Sequence, residues 1–367
     1  MILYLRHASG SGGGADRVIA NTACRIDKTR FPLRVALICP RGSDVSPILS
    51  EMRAAGVTAG AFPGYRWFDR EQFAALRRMI VEDKIRVLHC HDSKSDVLGR
   101  VLRGFHPHLR LVSTAHGWIA RSRRERLYVE LDLLALRGYD VIIAVSETNA
   151  RYARRRGVTQ LEIIPNGIDA DVWRTTAPLP GLERPDRPFR VGFVGRLSEE
   201  KGALDFVRMA HRVRECQAEV RFVIAGEGPQ EGAMRSLVAQ LGVAGQVDFL
   251  GRLDPNRLRA LYESMDALTL TSLTEGLPMS ILEACAMRRC VIAPCVGGIP
   301  ELIEHERNGL LTPVGDYRAV AAHVMTLATA RERAALLGNA ARRTVEERFS
   351  IRGVVTRMEA LYAQLLC

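Results

Sequence analysis

At 367 residues the chain is too long for one ordinary core and fits two domains of about 150–200 residues each. A composition of 47% hydrophobic and 25% charged residues is that of a globular protein, and no run approaches the roughly 18 apolar residues of a spanning helix. The net charge of +11 is gathered early, with 27 Arg and Lys against 18 Asp and Glu through Val172 and 25 against 23 thereafter.

That surplus points to an anionic partner, a phospholipid headgroup or a lipid phosphate. A solvated helix face in an Arg-rich chain is the plainer account, since only four lysines stand against 48 arginines. Nucleic acid is disfavoured because no aromatic-interleaved basic surface accompanies the charge.

In chain order, the start Met1–Arg6 lacks a basic n-region and a cleavage site, and reads as a buried strand rather than a signal peptide. Strands are predicted at 2–7, 34–39, 57–62, 87–91, 111–115, 141–145 and 161–165. A second series falls at 189–194, 220–225, 247–250, 267–270, 291–293 and 309–311. Helices with apolar residues at three- and four-residue spacing fill the gaps, among them 70–81, 124–136, 203–215 and 318–328. Short apolar strands alternating with amphipathic helices predict two doubly wound parallel sheets.

The division is expected at the Pro-rich stretch 177–188, giving domains at 1–176 and 189–345. A strandless tail at 346–367 reads as closing helix, with Ser350 as a start signal. Eight cysteines without CxxC pairs or Cys/His clusters read as small buried thiols rather than zinc ligands or disulfides.

Several motifs carry chemistry. Ser9-Gly10-Ser11-Gly12-Gly13-Gly14-Ala15-Asp16 follows the first strand and opens a helix, where glycines let backbone N–H groups approach phosphate. Gly10, Gly12 and Ala15 also fit a dinucleotide pattern, but the second strand ends Cys39-Pro40-Arg41 with its first carboxylate at Asp44, against NAD. A tight turn is the structural alternative. Arg196 and Lys201 end the first strand of the second domain, placed to hold a diphosphate and offset charge on a leaving group. Lys201 is the only lysine after Lys94, which favours a role for a compact ammonium.

The most specific segment is Thr274-Glu275-Gly276-Leu277-Pro278-Met279-Ser280-Ile281-Leu282-Glu283. Pro278 favours helix entry, so Glu275 precedes the helix and Glu283 lies about a turn inside it, two carboxylates suited to paired hydroxyls. An exposed loop Glu and a helix-face Glu are the rival account. His91 and His116 end strands of the first domain, with the stronger case for His116 beside Gly117. Asp169-Ala170-Asp171 reads as turn chemistry rather than a metal site. Glu227 in Gly226-Glu227-Gly228-Pro229 fits a nucleotide neighbour or a plain turn.

Taken together and in order, these residues resemble the family 4 glycosyltransferases of the GT-B fold. The likeness runs through Gly12–Gly14, His116-Gly117, Pro165–Asp169, Gly195-Arg196, Lys201-Gly202, Gly226–Pro229, Gly251-Arg252, Glu275–Glu283 and Gly297-Gly298-Ile299-Pro300-Glu301. It implies two Rossmann-like domains facing each other across a cleft, and retaining transfer from a nucleotide-sugar without metal or cofactor. Arg196 and Lys201 would bind the diphosphate, with Gly13 and Gly14 closing over it. Glu275 and His116 would contact the donor sugar, with Gly276, Leu277, Met279 and Ser280 in the same donor segment. Glu283 would take the ribose, and the backbone near Arg252 the base, with Glu227 nearby.

UDP-sugars are the first expected donors and GDP-mannose the next. The expected acceptors are a sugar, a glycolipid or a polyprenyl-phosphate-linked glycan, at a cytoplasmic location with peripheral contact at an anionic membrane. The last helix would return to the first domain. A nucleotide-sugar epimerase, a phosphorylase and a non-catalytic nucleotide-sugar binder are the alternatives. The phosphorylase would need a pyridoxal-phosphate lysine, for which Lys201 is the only candidate.

Overall fold

Apolar runs of four to eight residues, buried on both faces, are what a parallel sheet covered by helices demands. The computed structural model describes residues 1–8, 13–64, 69–118, 123–175, 187–216 and 218–367. It forms strands at Ile2–His7 (β1), Leu33–Pro40 (β2), Thr58–Gly64 (β3), Val87–Cys90 (β4), Arg110–Ala115 (β5), Val141–Ala144 (β6) and Leu161–Ile163 (β7). These pair in parallel in the order β3-β2-β1-β4-β5-β6-β7. A second series, Phe189–Val194 (β8), Val220–Ala225 (β9), Val247–Gly251 (β10), Ala267–Thr269 (β11), Cys290–Pro294 (β12) and Leu310–Thr312 (β13), pairs as β10-β9-β8-β11-β12-β13. In each sheet the strand order reverses beside the first strand, the doubly wound pattern the sequence predicts.

The helices that position the candidate site are α1 (Gly14–Ala23), α2 (Ser46–Ala54), α3 (Arg70–Glu82), α4 (Ser93–Phe105), α5 (Arg123–Leu136) and α6 (Glu147–Arg154) in the first series. The second has α7 (Ala203–Glu215), α8 (Glu231–Gln240), α9 (Pro255–Ser264), α10 (Met279–Ala286), α11 (Ile299–Leu302), α12 (Tyr317–Thr329) and α13 (Arg331–Arg348). The predicted 203–215 helix has these bounds, and 70–81, 124–136 and 318–328 each extend by a residue at one or both ends.

The chain divides into two units, Met1–Gly167 with Ile351–Cys367, and Ile168–Ser350. The division falls ahead of the Pro-rich stretch, most of which (176–186) lies outside the described residues. Its cause is long-range: Ile168 N–H donates to Phe349 O at 2.9 Å, and Arg342 donates to Trp173 O at 2.8 Å, tying 168–175 to the second unit. Helix α14 (Ile351–Leu366) then packs in the first unit, where Val354, Val355, Met358, Leu361 and Tyr362 join the core of β1 and β2.

No helix among the described residues is long and apolar enough to cross a membrane. All eight cysteines are unpaired; Cys39, Cys90, Cys285 and Cys290 are buried as expected, but Cys216, Cys295 and Cys367 are exposed. Each of these three stands one residue past the end of an element, at Glu215, Pro294 and Leu366, where the chain leaves the core.

Candidate functional site

In the second unit the chemistry gathers at the carboxyl ends of adjacent strands, where parallel sheets leave room for ligands. Arg196 follows β8, Glu227 follows β9 and Arg252 follows β10, and all three side chains are exposed without a hydrogen bond or ion pair to a described residue. A short turn, Glu199–Lys201, then brings Lys201 under the segment that follows β11. Gly202 makes this approach feasible. Its φ is +62°, and a Cβ there would lie 1.9 Å from Thr271 O.

Lys201 Nζ donates to both oxygens of Glu275, at 2.6 and 2.7 Å, and Ser272 Oγ donates to Glu275 Oε1 at 2.7 Å. The Glu275 side chain is 5% exposed and that of Lys201 26%. An ammonium has three protons, so Lys201 keeps one for a ligand on its open side. Behind Glu275 runs Gly297, at φ +59°, whose Cβ would meet Glu275 O at 1.9 Å. Gly298 N–H donates to Gly276 O at 2.6 Å. The carboxylate is therefore fixed from both sides.

Pro278 caps helix α10, as its fixed φ favours at a helix start. Leu277 and Met279 are buried and Ser280 half-buried. Ile281 N–H donates to Pro278 O at 3.2 Å, whereas the N–H groups of Met279 and Ser280 have no acceptor among the described residues and lie at the positive end of the helix dipole. Glu283, one turn on, is buried, and the Tyr262 hydroxyl donates to its Oε2 at 2.9 Å. Tyr262 is fully buried, edge-on to Trp173 with ring centroids 5.7 Å apart. Neither Tyr262 nor Ser272 was expected from sequence. Ser272 stands three residues before Glu275 and was within reach of local inspection. Tyr262 belongs to another helix.

In the first unit, Gly13 precedes helix α1 and its N–H donates to Asp16 Oδ2 at 2.9 Å, with Gly14 the first helical residue. Gly10 and Gly12 lie outside the described residues. Arg6, near the end of β1, spans three groups: its Nε donates to Asp16 Oδ1 at 3.1 Å, its Nη1 donates to His91 O at 3.0 Å, and Asp92 Oδ2 lies 3.5 Å away. Asp16 and Asp92 lie at the starts of α1 and α4, so one guanidinium ties both helix starts to the strand.

His89, His91 and His116 stack beside it, with centroids 4.2 Å apart for the first pair and 6.0 Å for the second. Burial, with the His116 charge, lowers His89 to about 3. Burial and the Arg6 charge lower His116 to about 3, and His91 falls well below its ordinary value for the same first reason. These are neutral rings at pH 7, suited to hydrogen bonding rather than ion pairing. His89 is held structurally, by the Tyr362 hydroxyl at 2.6 Å and Thr114 Oγ1 at 2.8 Å. Both ring nitrogens of His91 and Nε2 of His116 are buried without a partner among the described residues. His116 is half-buried and His91 buried, so His116 is the more exposed of the two rings.

Asp169 Oδ1 accepts from the N–H groups of Asp171 and Val172, at 3.0 and 3.2 Å. This is the turn chemistry its sequence predicts.

Comparison with known proteins places this architecture. The family described as Glycosyltransferase Family 4 matches residues 12–172, and Glycosyl transferases group 1 matches residues 188–330. Among relatives, EpsD of Bacillus subtilis (strain 168), named as a glycosyltransferase, is 27% identical over 316 residues, 81% of this chain and 82% of that one. WcaL of Escherichia coli (strain K12), named as a glycosyltransferase of colanic acid biosynthesis, is 30% identical over 230 residues, 60% of this chain and 54% of WcaL. The chain thus spans about half the length of that relative. Among solved structures, Anabaena Alr3699/HepE in complex with UDP-glucose superposes with a TM-score of 0.84 at 22% identity, covering 99% of this chain and 100% of that one.

Proposed function

The chain belongs to the family 4 glycosyltransferases of the GT-B fold, and from that premise we propose that it moves a sugar from a nucleotide-sugar to an acceptor hydroxyl. The observation that carries the reading is the Lys201–Glu275–Ser272 cluster set just ahead of helix α10, with Glu283 buried one turn inside it. A sugar diphosphate needs cations at its phosphates and acceptors at its hydroxyls, and this end of the sheet offers both.

In the proposed assignment Arg196 and the free proton of Lys201 neutralise the diphosphate, with the first-turn N–H groups of α10 alongside. Glu275 accepts sugar hydroxyls and Glu283 the ribose diol, while Arg252 and Glu227 lie toward the base. The bond between the anomeric carbon and the diphosphate breaks, and one to the acceptor oxygen forms on the same face with retention. The acceptor's proton leaves on the departing phosphate. Two protein cations stand where a metal would otherwise balance the leaving charge, so no metal is assigned to the step. His116, neutral and with an unpaired ring nitrogen, is assigned to the sugar.

UDP-sugars are the preferred donors. This choice is supported by the likeness to a protein solved with UDP-glucose. An acceptor in polysaccharide or glycolipid synthesis is supported by the name of WcaL. The early positive surplus fits a phosphate-bearing acceptor and peripheral contact with an anionic membrane. A panel of nucleotide-sugars scored by thermal shift tests the donor, since the tightest ligand stabilises most. A panel in which no nucleotide-sugar raises the unfolding temperature would overturn the reading.

A further inference from the structure

Helix α5 is apolar on two opposite faces. Val129, Leu133 and Leu136 are buried in the core that includes β4 and β5. Leu127, Leu131 and Leu134 are 57%, 42% and 60% exposed. Spaced by four and three residues, they form one line along the helix, opposite the buried set. A helix that covers a sheet needs one apolar face, with polar residues outward. Single exposed leucines are ordinary, but three in register are an apolar line that the fold of this unit leaves largely in water.

The charge around them is also placed against the needs of the helix. Its first turn carries Arg123 and Arg126 against Glu125, although the amino end of a helix favours anions. Helix α6 is tied to it through the turn that follows, where Arg156 lies 3.6 Å from Glu130 and its carbonyl accepts from Arg137 at 2.7 Å. It adds Arg151 and Arg154, which share the single carboxylate of Glu147, and exposed Arg155 beyond it. The face is a leucine stripe interrupted by the exposed Glu130, which pairs with Arg156, and rimmed by a surplus of arginine.

We propose that this face of α5 is the seat of the membrane contact, lying in the plane of an anionic lipid surface. The leucines enter the boundary between headgroups and acyl chains, and the arginines meet lipid phosphates. A second copy of the chain fits poorly, because a two-fold contact would press two like-charged arginine sets together. A nucleic acid would engage the arginines and leave the leucines in water. The inference rests on the peripheral membrane contact proposed above, and locates it.

The test is flotation of the full chain with phosphatidylcholine vesicles, with and without phosphatidylglycerol. The wild type is expected to float only with the anionic vesicles. The Leu127→Gln/Leu131→Gln/Leu134→Gln variant should lose about ten-fold or more in partition with its unfolding midpoint unchanged. A milder Leu127→Gln/Leu134→Gln variant serves if the triple one is unstable. Arg123→Gln/Arg126→Gln should weaken binding at low salt and little at high salt. Leucine variants that float as well as the wild type would overturn the assignment of this face while leaving membrane contact standing. A wild type that floats with neither vesicle would overturn both. A stripe variant that turns a dimer into a monomer without changing flotation would assign the leucines to a second copy and overturn the proposal.

Discussion

The Tyr262 hydroxyl donates to Glu283 Oε2 at 2.9 Å, and both side chains are buried. A carboxylate that must accept a diol is best held in a fixed orientation by a neighbouring donor. Tyr262→Phe removes the hydroxyl and keeps the ring against Trp173. Loss of a hydrogen bond to a charged group costs about 1.5–3 kcal/mol. If Glu283 holds the ribose, the variant should bind UDP more weakly and lose preference over 2′-deoxy-UDP, by about ten-fold or more. Calorimetry with the two nucleotides checks this. An unchanged preference would detach Tyr262, and with it Glu283, from the ribose.

The strands were legible because residues buried on both faces leave continuous apolar runs, as in Cys290–Pro294. The Glu275–Glu283 element was legible because a proline fixes the helix entry locally. What could not be read depends on distant contacts. Tyr262 reaches Glu283 from another helix, and Tyr362 reaches Tyr4 and His89 from the far end of the chain. The unit boundary at Gly167 follows from a hydrogen bond between Ile168 and Phe349 that no local composition marks. The leucines of α5 were visible as helical spacing, but which of them face outward depends on how the helix sits on its sheet.

Lys201 and Glu275 should behave as a coupled pair. Lys201→Met leaves a buried carboxylate with Ser272 as its remaining side-chain donor, a loss of about 1–3 kcal/mol. Adding Glu275→Gln removes the unpaired charge, so the double variant should recover part of the stability. It should recover none of the activity, because both the phosphate cation and the sugar acceptor are gone. Turnover should fall about 100-fold or more in each single variant and in the double. Urea midpoints alongside turnover check the pair. Additive midpoints, or a double variant that turns over, would contradict it.

Gly297 tests whether the backbone behind Glu275 sets its position. A Cβ at residue 297 would lie 1.9 Å from Glu275 O, and its φ of +59° strains any other residue. Gly297→Ala should therefore displace the Glu275 segment and lower turnover about 100-fold, the scale of an ångström-sized misplacement. Gly245→Ala is the control, since a Cβ there meets nothing within 4 Å. Turnover at saturating donor, compared between the two variants, separates the cases. Equal and small effects would show that the close approach has no bearing on catalysis.

The histidine stack sets an acid limit on stability. Burial lowers His91 well below its ordinary 6.5, and lowers His89 and His116 to about 3. Below pH 6.5 the unfolded chain takes up protons that these folded rings refuse. Stability is therefore complete above that value and is lost as pH falls through it, by up to about 1.4 kcal/mol per pH unit for each ring. Burial raises Asp96 above its ordinary 3.8, an effect of opposite sign that favours the fold at low pH and is lost as pH rises. His91 isolates the first effect, because neither ring nitrogen has a partner among the described residues to be left unpaired. Between pH 7 and pH 5 the unfolding midpoint of the wild type should fall, and His91→Leu should flatten that fall. At pH 5.5, one unit below 6.5, the variant should gain about 1.4 kcal/mol relative to its own difference from wild type at pH 7.5. Parallel pH profiles for the two proteins would mean that His91 takes its proton in the folded state as readily as in the unfolded chain.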